Sequence, residues 1–325
     1  MRGLSALLSS LDVSIEDSFL RPLIERVKGE LKGIGLRHFS PVFYVGDEWF
    51  SPEGSPAVAV PFYLLREDLF QLEKKMMHQV EGASPYGALK LLRHELGHAF
   101  DHAYGIGKRK DFVAAFGSPK QSYKKEVALS PYHPDFIHHL DATYGQTHPS
   151  EDFAETFAYY LARGGEIESL LEGKSAVLAG KFLYVKKMVS ELKGQKPRKI
   201  LKREPRFYNI KCLHYSLKTH YKRRIKEEGV MHLARFDSKL ARLFKKNKEN
   251  KAARGAGFYL KSQRKHVMAY AKKNYNIKTY QLEPYYKCLT KRAYQLDLFV
   301  DPKNPPGREK IALYVIKSLQ QASSC

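Results

Sequence analysis

The stretch that decides the fold is Ser84–Phe100, which reads SPYGALKLLRHELGHAF. Its first two residues predict the start of a helix, because serine is a favourable N-cap and proline suits the first helical position. In Ala88–Phe100, apolar residues lie on most sides of that helix, as in a helix buried within a core. We expect the helix to end near Gly105.

Two histidines and a glutamate lie together on this predicted helix. His94 and His98 are four residues apart, so they share one face with about 5–6 Å between their Cβ atoms, and both imidazoles can point at one ion. Glu95 lies roughly 60° around the helix from His98. It can therefore flank a metal without binding it and act as general base towards a metal-activated water. This is the His-Glu-x-x-His (HExxH) arrangement of zinc peptidases.

A catalytic zinc ion needs a third protein ligand and an open position. The candidates are Glu151 and Glu155, four residues apart on a helix predicted from Pro149 to about Ala162, with Gly164 near its C-cap. One carboxylate can bind the ion while the other accepts the free N–H of a ligating imidazole. The alternative interpretation is a charged helix face with two ordinary surface glutamates.

The two helices together resemble the gluzincin class of zinc metallopeptidases. In detail they are similar to the catalytic domain of anthrax lethal factor and to a family of bacterial zinc-binding metallopeptidases, which pair a His-Glu-x-Gly-His helix with a later Glu-x-Phe-Ala-Glu-x-Phe helix. The second motif is matched by Glu151–Phe157, EDFAETF. The resemblance covers about residues 85–162 and implies a zincin-like fold that holds one zinc ion.

The resemblance also implies roles for three residues. Glu151 is implied as the third zinc ligand, and Glu155 as the residue that hydrogen-bonds a zinc-bound histidine and supports it. Tyr144, which is followed by glycine and stands seven residues before the ligating glutamate, is implied as the donor that stabilises the transition-state oxyanion. A phenol suits that task because it can hydrogen-bond the charge that develops on a carbonyl oxygen.

Two rivals for the third ligand follow from the same region. Asp141 begins an Asp-x-x-Tyr-Gly segment like that of the aspzincin peptidases, but the preceding Gly-Thr of that class is replaced by Ile137 and His138. Whether Asp141 rather than Glu151 is the ligand stays open at this point. His102 is four residues after His98, but a straight helix should carry it past the ion.

The elements before the metal helix predict an α+β fold. Phe19–Leu31 has the pattern of an amphipathic helix, and Val42–Val45 that of a strand. A second strand is predicted over Ala57–Val60 and Phe62–Leu64, and Pro61 within it indicates the edge of a sheet. The resemblance implies that this edge strand pairs with the substrate backbone, by strand addition.

The net charge of +22 is unevenly distributed along the chain. Residues 1–189 hold 22 Lys+Arg and 24 Asp+Glu, whereas residues 190–325 hold 34 and 10, which is a net charge of +24. A basic segment with Gly and Pro, Lys193–Lys199, indicates a boundary. We therefore predict a zincin-like metallopeptidase domain over 1–192 and a basic, mostly α-helical domain over 193–325. Its predicted helices are Met231–Lys245, Phe258–Tyr275, Pro284–Leu298 and Arg308–Gln320.

The charge of residues 193–325 exceeds what solubility requires and predicts a nucleic acid or another polyanion as a partner. The many tyrosines there are interpreted as core residues at helical spacing rather than as base-stacking platforms. No run of about 18 apolar residues predicts a membrane span. A secretory signal is not evident, and three cysteines suit a reducing compartment, so we expect a cytoplasmic protein.

The sequence thus predicts a zinc-dependent endopeptidase that acts on a protein or peptide substrate. The predicted ligands are His94, His98 and Glu151, the base is Glu95 and the oxyanion donor is Tyr144. The basic domain is expected to target an anionic partner. The alternative hypothesis is a non-enzymatic nucleic-acid-binding protein whose first domain keeps a structural or vestigial zinc site.

Overall fold

The polypeptide forms two compact units, residues 1–223 and residues 224–325. The structure is a computed structural model. The residues that it describes are 2–77, 80–123, 133–140, 144–206, 208–227, 237–246, 255–275, 277 and 279–322. These residues are mostly helical and include one small sheet, which is consistent with the predicted α+β class. The zincin-like assignment stays a prediction.

The first unit contains two strands and most of the helices that the structure describes. The strands are β1 (Val42–Gly46) and β2 (Ala57–Pro61). The helices are α1 (Leu20–Gly33), α2 (Glu67–Met77), α3 (Pro85–Tyr104), α4 (Lys110–Phe116), α5 (Pro149–Ala162), α6 (Glu168–Leu171), α7 (Ala176–Leu192) and α8 (Leu217–Glu227), the last of which continues past residue 223.

Helix α3 begins and ends where the sequence predicts. The Ser84 hydroxyl accepts a hydrogen bond from the Gly87 N–H at 3.1 Å, and proline occupies the first helical position. At the other end Gly105 adopts the left-handed conformation, with φ of 71°, and its N–H donates to the Asp101 carbonyl at 2.6 Å. Both ends are therefore fixed by local signals, and 13 of the 20 residues of the helix are buried.

Helices α3 and α5 cross at a glycine. A Cβ atom on Gly97 would lie only 2.7 Å from the Cα atom of Ala154, so the two backbones approach this closely because residue 97 has no side chain. Beside the crossing, the rings of Phe100 and Phe157 stack with centroids 4.9 Å apart. The close approach brings the polar faces of the two helices within hydrogen-bond distance of each other.

Helix α1 is tied to α3 next to the His-Glu-x-x-His motif. Arg93 donates from Nε and Nη2 to the two carboxylate oxygens of Glu30, at 2.8 and 2.7 Å. Such a two-point contact fixes the rotation of one helix against the other, because the planar guanidinium matches the carboxylate. The rotation of α3 sets the direction in which its histidines point.

The two strands pair in parallel, with Val42 opposite Ala57. The second strand is shorter than predicted: it ends at Pro61, and Phe62–Leu64 forms a 3₁₀ turn instead of a strand. Proline has no N–H to continue a strand ladder, so the apolar run bends into the core. On the other side of β2, the Ala59 N–H donates to the Phe50 carbonyl at 2.8 Å. Pairing of β2 with a substrate stays a prediction. The Ala59 N–H is not available for it, because this group already donates to Phe50.

The stretch after α7 packs back onto the first unit. Asn209 forms an antiparallel bridge with Gly46, and Leu8 donates its N–H to the Tyr215 carbonyl at 3.0 Å. The Tyr215 hydroxyl donates to Asp47 at 2.8 Å. Residues 193–223 thus belong to the compact unit that contains α3. The predicted division of the chain after residue 192 stays a prediction.

The second unit is built from four helices in its described part. They are α9 (Asp237–Leu243), α10 (Ala256–Tyr275), α11 (Thr279–Gln295) and α12 (Arg308–Ala322). The last three confirm the predicted helices there, and residues 231–236 of the first predicted helix lie outside the described residues. Tyr286 is buried and donates its hydroxyl to the Leu260 carbonyl at 2.6 Å, so it is a core tyrosine. Among the described residues, no helix is long and apolar enough to cross a membrane.

Candidate metal centre

The two motif histidines lie on the side of α3 that faces α5. The Nε2 atoms of His94 and His98 are 3.2 Å apart, and their rings meet edge to face with centroids 4.9 Å apart. His94 is buried and His98 is partly buried. Two imidazole nitrogens this close cannot both direct a proton at each other, so they either share one proton or bind a common metal ion.

Glu151 meets both histidines from the first turn of α5. Its Oε2 atom lies 3.1 Å from His94 Nε2 and 3.2 Å from His98 Nε2. The start of this helix is set by His148, whose Nδ1 atom accepts from the Ser150 N–H at 3.2 Å, and by proline in the first position. A carboxylate in the first turn is also favoured by the positive end of the helix dipole.

The three atoms have the spacing and chemistry that zinc requires. Each lies 3.1–3.2 Å from the other two. Tetrahedral zinc bonds of about 2.0–2.1 Å place ligand atoms about 3.3–3.4 Å apart, so only a small adjustment separates this cluster from a ligand set. Two imidazole nitrogens and a carboxylate oxygen are ordinary zinc donors. Among the described residues, these three side chains form the group that could hold a metal ion.

Glu155 lies on the same face of α5 as Glu151 but contacts only one of the two histidines, His94. Its Oε1 atom accepts from His94 Nδ1 at 2.9 Å, and its Oε2 atom accepts from the N–H groups of His139 and Leu140 at 2.9 and 2.8 Å. With Nδ1 held as the donor, Nε2 faces Glu151 and is the nitrogen that offers a lone pair to a metal ion once its proton is displaced. Asp141, the rival ligand, lies outside the described residues.

The cluster favours positive charge. Burial acts to lower the pKa of His94, but the hydrogen bonds that its ring donates to Glu151 and Glu155 outweigh this effect and raise that pKa to about 10. Burial acts in turn to raise the pKa of Glu151, and the charges and hydrogen bonds of His98 and His94 hold it below the usual range. Metal binding replaces protons on such ligands, so a divalent cation can take the place of the proton.

Glu95 is buried on α3 beside the two histidines. Burial raises the pKa of this carboxyl, while the charges of His94 and His98 and a hydrogen bond from the Ser51 backbone oppose the rise. A general base works best when its pKa is close to the working pH, and a raised carboxyl pKa moves in that direction. Its role as the general base stays a prediction.

Tyr144 opens a 3₁₀ turn, Tyr144–Gln146, that packs on α5. Its ring approaches the His94 ring edge to face, with centroids 5.3 Å apart. Burial raises the pKa of this phenol, as do the charges of Glu151 and Glu95, so it stays protonated and able to donate. The predicted oxyanion donor therefore lies beside the three candidate ligands.

Tyr123 is a neighbour of the cluster that the sequence did not reveal. Its hydroxyl donates to Glu151 Oε1 at 2.8 Å, the oxygen that faces away from the histidines. Its ring stacks on the His148 ring, with centroids 4.3 Å apart and planes 11° apart. No spacing rule links Tyr123 to a glutamate 28 residues later, so no sequence signal could have found it.

Residues 74–199 match the model of a protein family described as "Putative zinc-binding metallo-peptidase". The match covers 126 of the 325 residues and includes every residue placed in the metal centre above. The expected similarity to a family of zinc-binding metallopeptidases is confirmed for this segment. No curated protein and no solved structure matches the chain. The closer likeness to the lethal factor catalytic domain stays a prediction.

Within the segment that matches this zinc-binding family, one further polar contact supports α5. Lys181 of α7 forms a buried ion pair with Asp152 at 2.7 Å and also donates to the Asp135 carbonyl at 2.7 Å. Asp135 lies in the segment 133–140 whose backbone N–H groups hold Glu155. Lys181 thus joins the metal-site helix to the loop that supports it, another link between distant residues that the sequence does not signal.

Proposed function

We propose that this protein is a zinc-dependent endopeptidase that hydrolyses peptide bonds in a protein or peptide substrate. The observation that carries the proposal is the mutual contact of His94 Nε2, His98 Nε2 and Glu151 Oε2 at 3.1–3.2 Å. The family match over residues 74–199 supports the same chemistry. The three atoms would hold one zinc ion. When bound, the ion supplies Lewis acidity, which acidifies water and polarises a carbonyl group.

In this proposal Glu95 moves the protons of the reaction. Its carboxylate takes a proton from the attacking water and later delivers it to the amine that leaves. The Glu95 side chain is buried, and burial raises the pKa of its carboxyl, which favours holding the proton until the amine leaves. No other carboxylate of the cluster suits this role, because Glu151 and Glu155 are both engaged with His94.

Tyr144 would donate its phenolic proton in a hydrogen bond to the substrate carbonyl oxygen as negative charge develops there. Its raised pKa keeps the proton on the phenol. Glu155 would fix His94 through Nδ1, so that the ring cannot rotate away from the ligand position.

Metal content and proteolysis of purified protein test the proposal. We expect about one zinc per chain in the wild type by elemental analysis, and loss of that zinc in His94→Ala. Glu95→Gln should keep the zinc and lose cleavage of an unfolded protein substrate such as casein. A wild-type protein without bound zinc would overturn the proposal. Unchanged proteolysis in Glu95→Gln would overturn the assignment of the base.

We further propose that residues 193–325 bind a polyanion. The first part of this range, residues 193–206, contains seven Lys or Arg and one Glu, and the cationic side chains are exposed. Helix α10 presents Lys261, Lys265 and Lys272 on its exposed side. Phosphate contacts of this kind make affinity fall steeply with salt. This charge is also what favours the alternative, a nucleic-acid-binding protein with a vestigial zinc site.

The affinity of the full chain for DNA and for RNA, measured from 50 to 200 mM salt, tests this second proposal. We expect log affinity to fall linearly with log salt for at least one of them. An affinity that does not change with salt would exclude binding through phosphates. Zinc-loaded protein that binds nucleic acid and cleaves no peptide would favour the non-enzymatic alternative.

A further inference from the structure

We propose that Tyr123 is a positioning residue of the metal centre, which holds Glu151 so that one carboxylate oxygen alone faces the two histidines. The proposal rests on the zinc site proposed above and assigns a role to a residue outside both sequence motifs. The proposed role of Tyr123 is in metal binding, and Tyr123 does not touch the reacting atoms of the substrate.

The two oxygens of Glu151 have separate partners. Oε2 lies 3.1–3.2 Å from both histidine Nε2 atoms, and Oε1 accepts from the Tyr123 hydroxyl at 2.8 Å. A carboxylate whose oxygens are both free can bind a metal through either or both of them. A catalytic zinc site has to keep one position open for water or substrate. By holding Oε1 away, Tyr123 selects single-oxygen binding and preserves that open position.

His148 holds Tyr123 in place. The two rings are stacked nearly parallel, and the His148 Nε2 atom lies 3.0 Å from the Gln121 carbonyl, two residues before Tyr123. The Nδ1 atom of the same ring accepts from the Ser150 N–H. One neutral imidazole, with its proton on Nε2, satisfies both contacts. The N-cap of α5 therefore also anchors the segment that carries Tyr123.

The second phenol of the centre is used differently. Tyr144 approaches His94 with its ring edge, and within the described part of the chain its hydroxyl makes no hydrogen bond to Glu151. We expect the Tyr144 hydroxyl to meet the substrate, whereas the Tyr123 hydroxyl donates to the proposed zinc ligand Glu151. This difference predicts that the two tyrosines fail in different ways when each loses its hydroxyl.

Tyr123→Phe removes the hydrogen bond and keeps the ring that stacks on His148. The Tyr123 side chain is 61% exposed, so loss of the hydroxyl should not disturb the core. Loss of a hydrogen bond to a metal ligand typically weakens metal affinity 10–100-fold. We expect that loss in Tyr123→Phe when zinc affinity is measured by competition with a chromophoric chelator. Tyr144→Phe should keep wild-type zinc affinity and lose peptidase rate.

Two controls separate positioning from a general structural effect. Tyr86→Phe changes a tyrosine that is 73% exposed on the first turn of α3, and it should leave zinc affinity unchanged. The urea midpoint of the zinc-free protein should be the same for wild type, Tyr123→Phe and Tyr86→Phe, because a merely structural residue would lower it.

A double-mutant cycle tests whether Tyr123 acts through Glu151. In a Glu151→Ala background the acceptor is gone, so adding Tyr123→Phe should cause no further loss of zinc affinity. Equal zinc affinity in wild type and Tyr123→Phe, or the same loss in both backgrounds, overturns the inference and leaves the zinc site standing. Absence of zinc from the wild type overturns the proposed function itself, and the two failures are thus distinguishable.

Discussion

Gly97→Ala perturbs the crossing of α3 and α5, and its effect can be worked out from the structure. The added Cβ would lie 2.7 Å from the Cα, 3.1 Å from the carbonyl oxygen and 3.2 Å from the Cβ of Ala154. Two of these atoms belong to the backbone and cannot rotate away. To restore an ordinary contact of at least 3.4 Å, the helices must separate by 3.4 − 2.7 = 0.7 Å or more.

The stability change in Gly97→Ala is the sum of two opposing terms. Replacing glycine by alanine within a helix stabilises the fold by up to about 1 kcal/mol. Overpacking a tight contact costs about 1–3 kcal/mol. We therefore expect a net loss of about 0–2 kcal/mol in the free energy of unfolding, which leaves the protein folded.

The effect on metal binding should be larger than the effect on stability. Glu151 is less than one helical turn from Ala154, so a shift of α5 by 0.7 Å carries its carboxylate away from the histidines. Metal–ligand distances tolerate only about 0.2 Å of error. We expect Gly97→Ala to bind zinc at least ten-fold more weakly than the wild type, in the same competition assay used for Tyr123.

Gly29→Ala is the matched control. Gly29 lies in the middle of α1, where an added Cβ would meet nothing within 4 Å. This substitution should stabilise the protein by about 0.5–1 kcal/mol and leave zinc affinity unchanged. If Gly97→Ala also stabilises the protein and keeps wild-type zinc affinity, the close crossing does not position the metal site, and the reasoning fails.

Three further predictions follow from other contacts. Lys181→Met leaves the buried Asp152 carboxylate without its cation, and the free energy of unfolding, measured by urea denaturation, should fall by about 3–5 kcal/mol. The control Lys186→Met breaks an exposed ion pair on the same helix and should change that free energy by less than about 1 kcal/mol. Burial lowers the pKa of His139 from 6.5 to about 4, so the unfolded chain takes up the proton first, and stability should fall as the pH is lowered from 6.5 towards 4. That slope should be smaller in His139→Gln, by at most about 1.4 kcal/mol per pH unit, and an unchanged slope would contradict the assignment. Removal of zinc by a chelator should lower the free energy of unfolding of the wild type by about 2.7 kcal/mol, compared with protein in free zinc at 100 times Kd. The free energy of unfolding of His98→Ala should not change, because this variant lacks a ligand and gains no stability from zinc.

The parts of the fold that local chemistry decides could be predicted from the sequence. Ser84 and Gly105 bound α3, and Pro149 opens α5, because caps and prolines act over one or two residues. The spacing of His94 and His98 likewise places them on one helix face. The Phe62–Leu64 strand was wrong because an apolar run does not distinguish a strand from a buried turn.

Contacts between distant segments could not be predicted in this way. Tyr123 contacts Glu151, and Lys181 contacts Asp152, only because segments far apart in the sequence are packed together. The two glutamates of α5 illustrate the limit: their spacing shows that they share a face, and only the packing of α3 places Glu151 beside both histidines and Glu155 beside one. The backbone pairing between residues 193–223 and the start of the chain likewise could not be predicted from composition.

That pairing has a consequence for how the protein is made. The N-H of Leu8 meets Tyr215, and the N–H of Leu217 meets the Ala6 carbonyl, so the first unit is closed by partners more than 200 residues apart. Translation at about 5–20 residues per second takes about 3–13 s to cover the 66 residues from Glu151 to Leu217. During this interval the nascent chain already contains all three proposed ligands, but Tyr215 and Leu217, the partners of its N-terminal segment, have not all been synthesised. The three proposed ligands are therefore synthesised before the residues that close the first unit, and a metal ion could be bound before that closure only if α3 and α5 pack together without it.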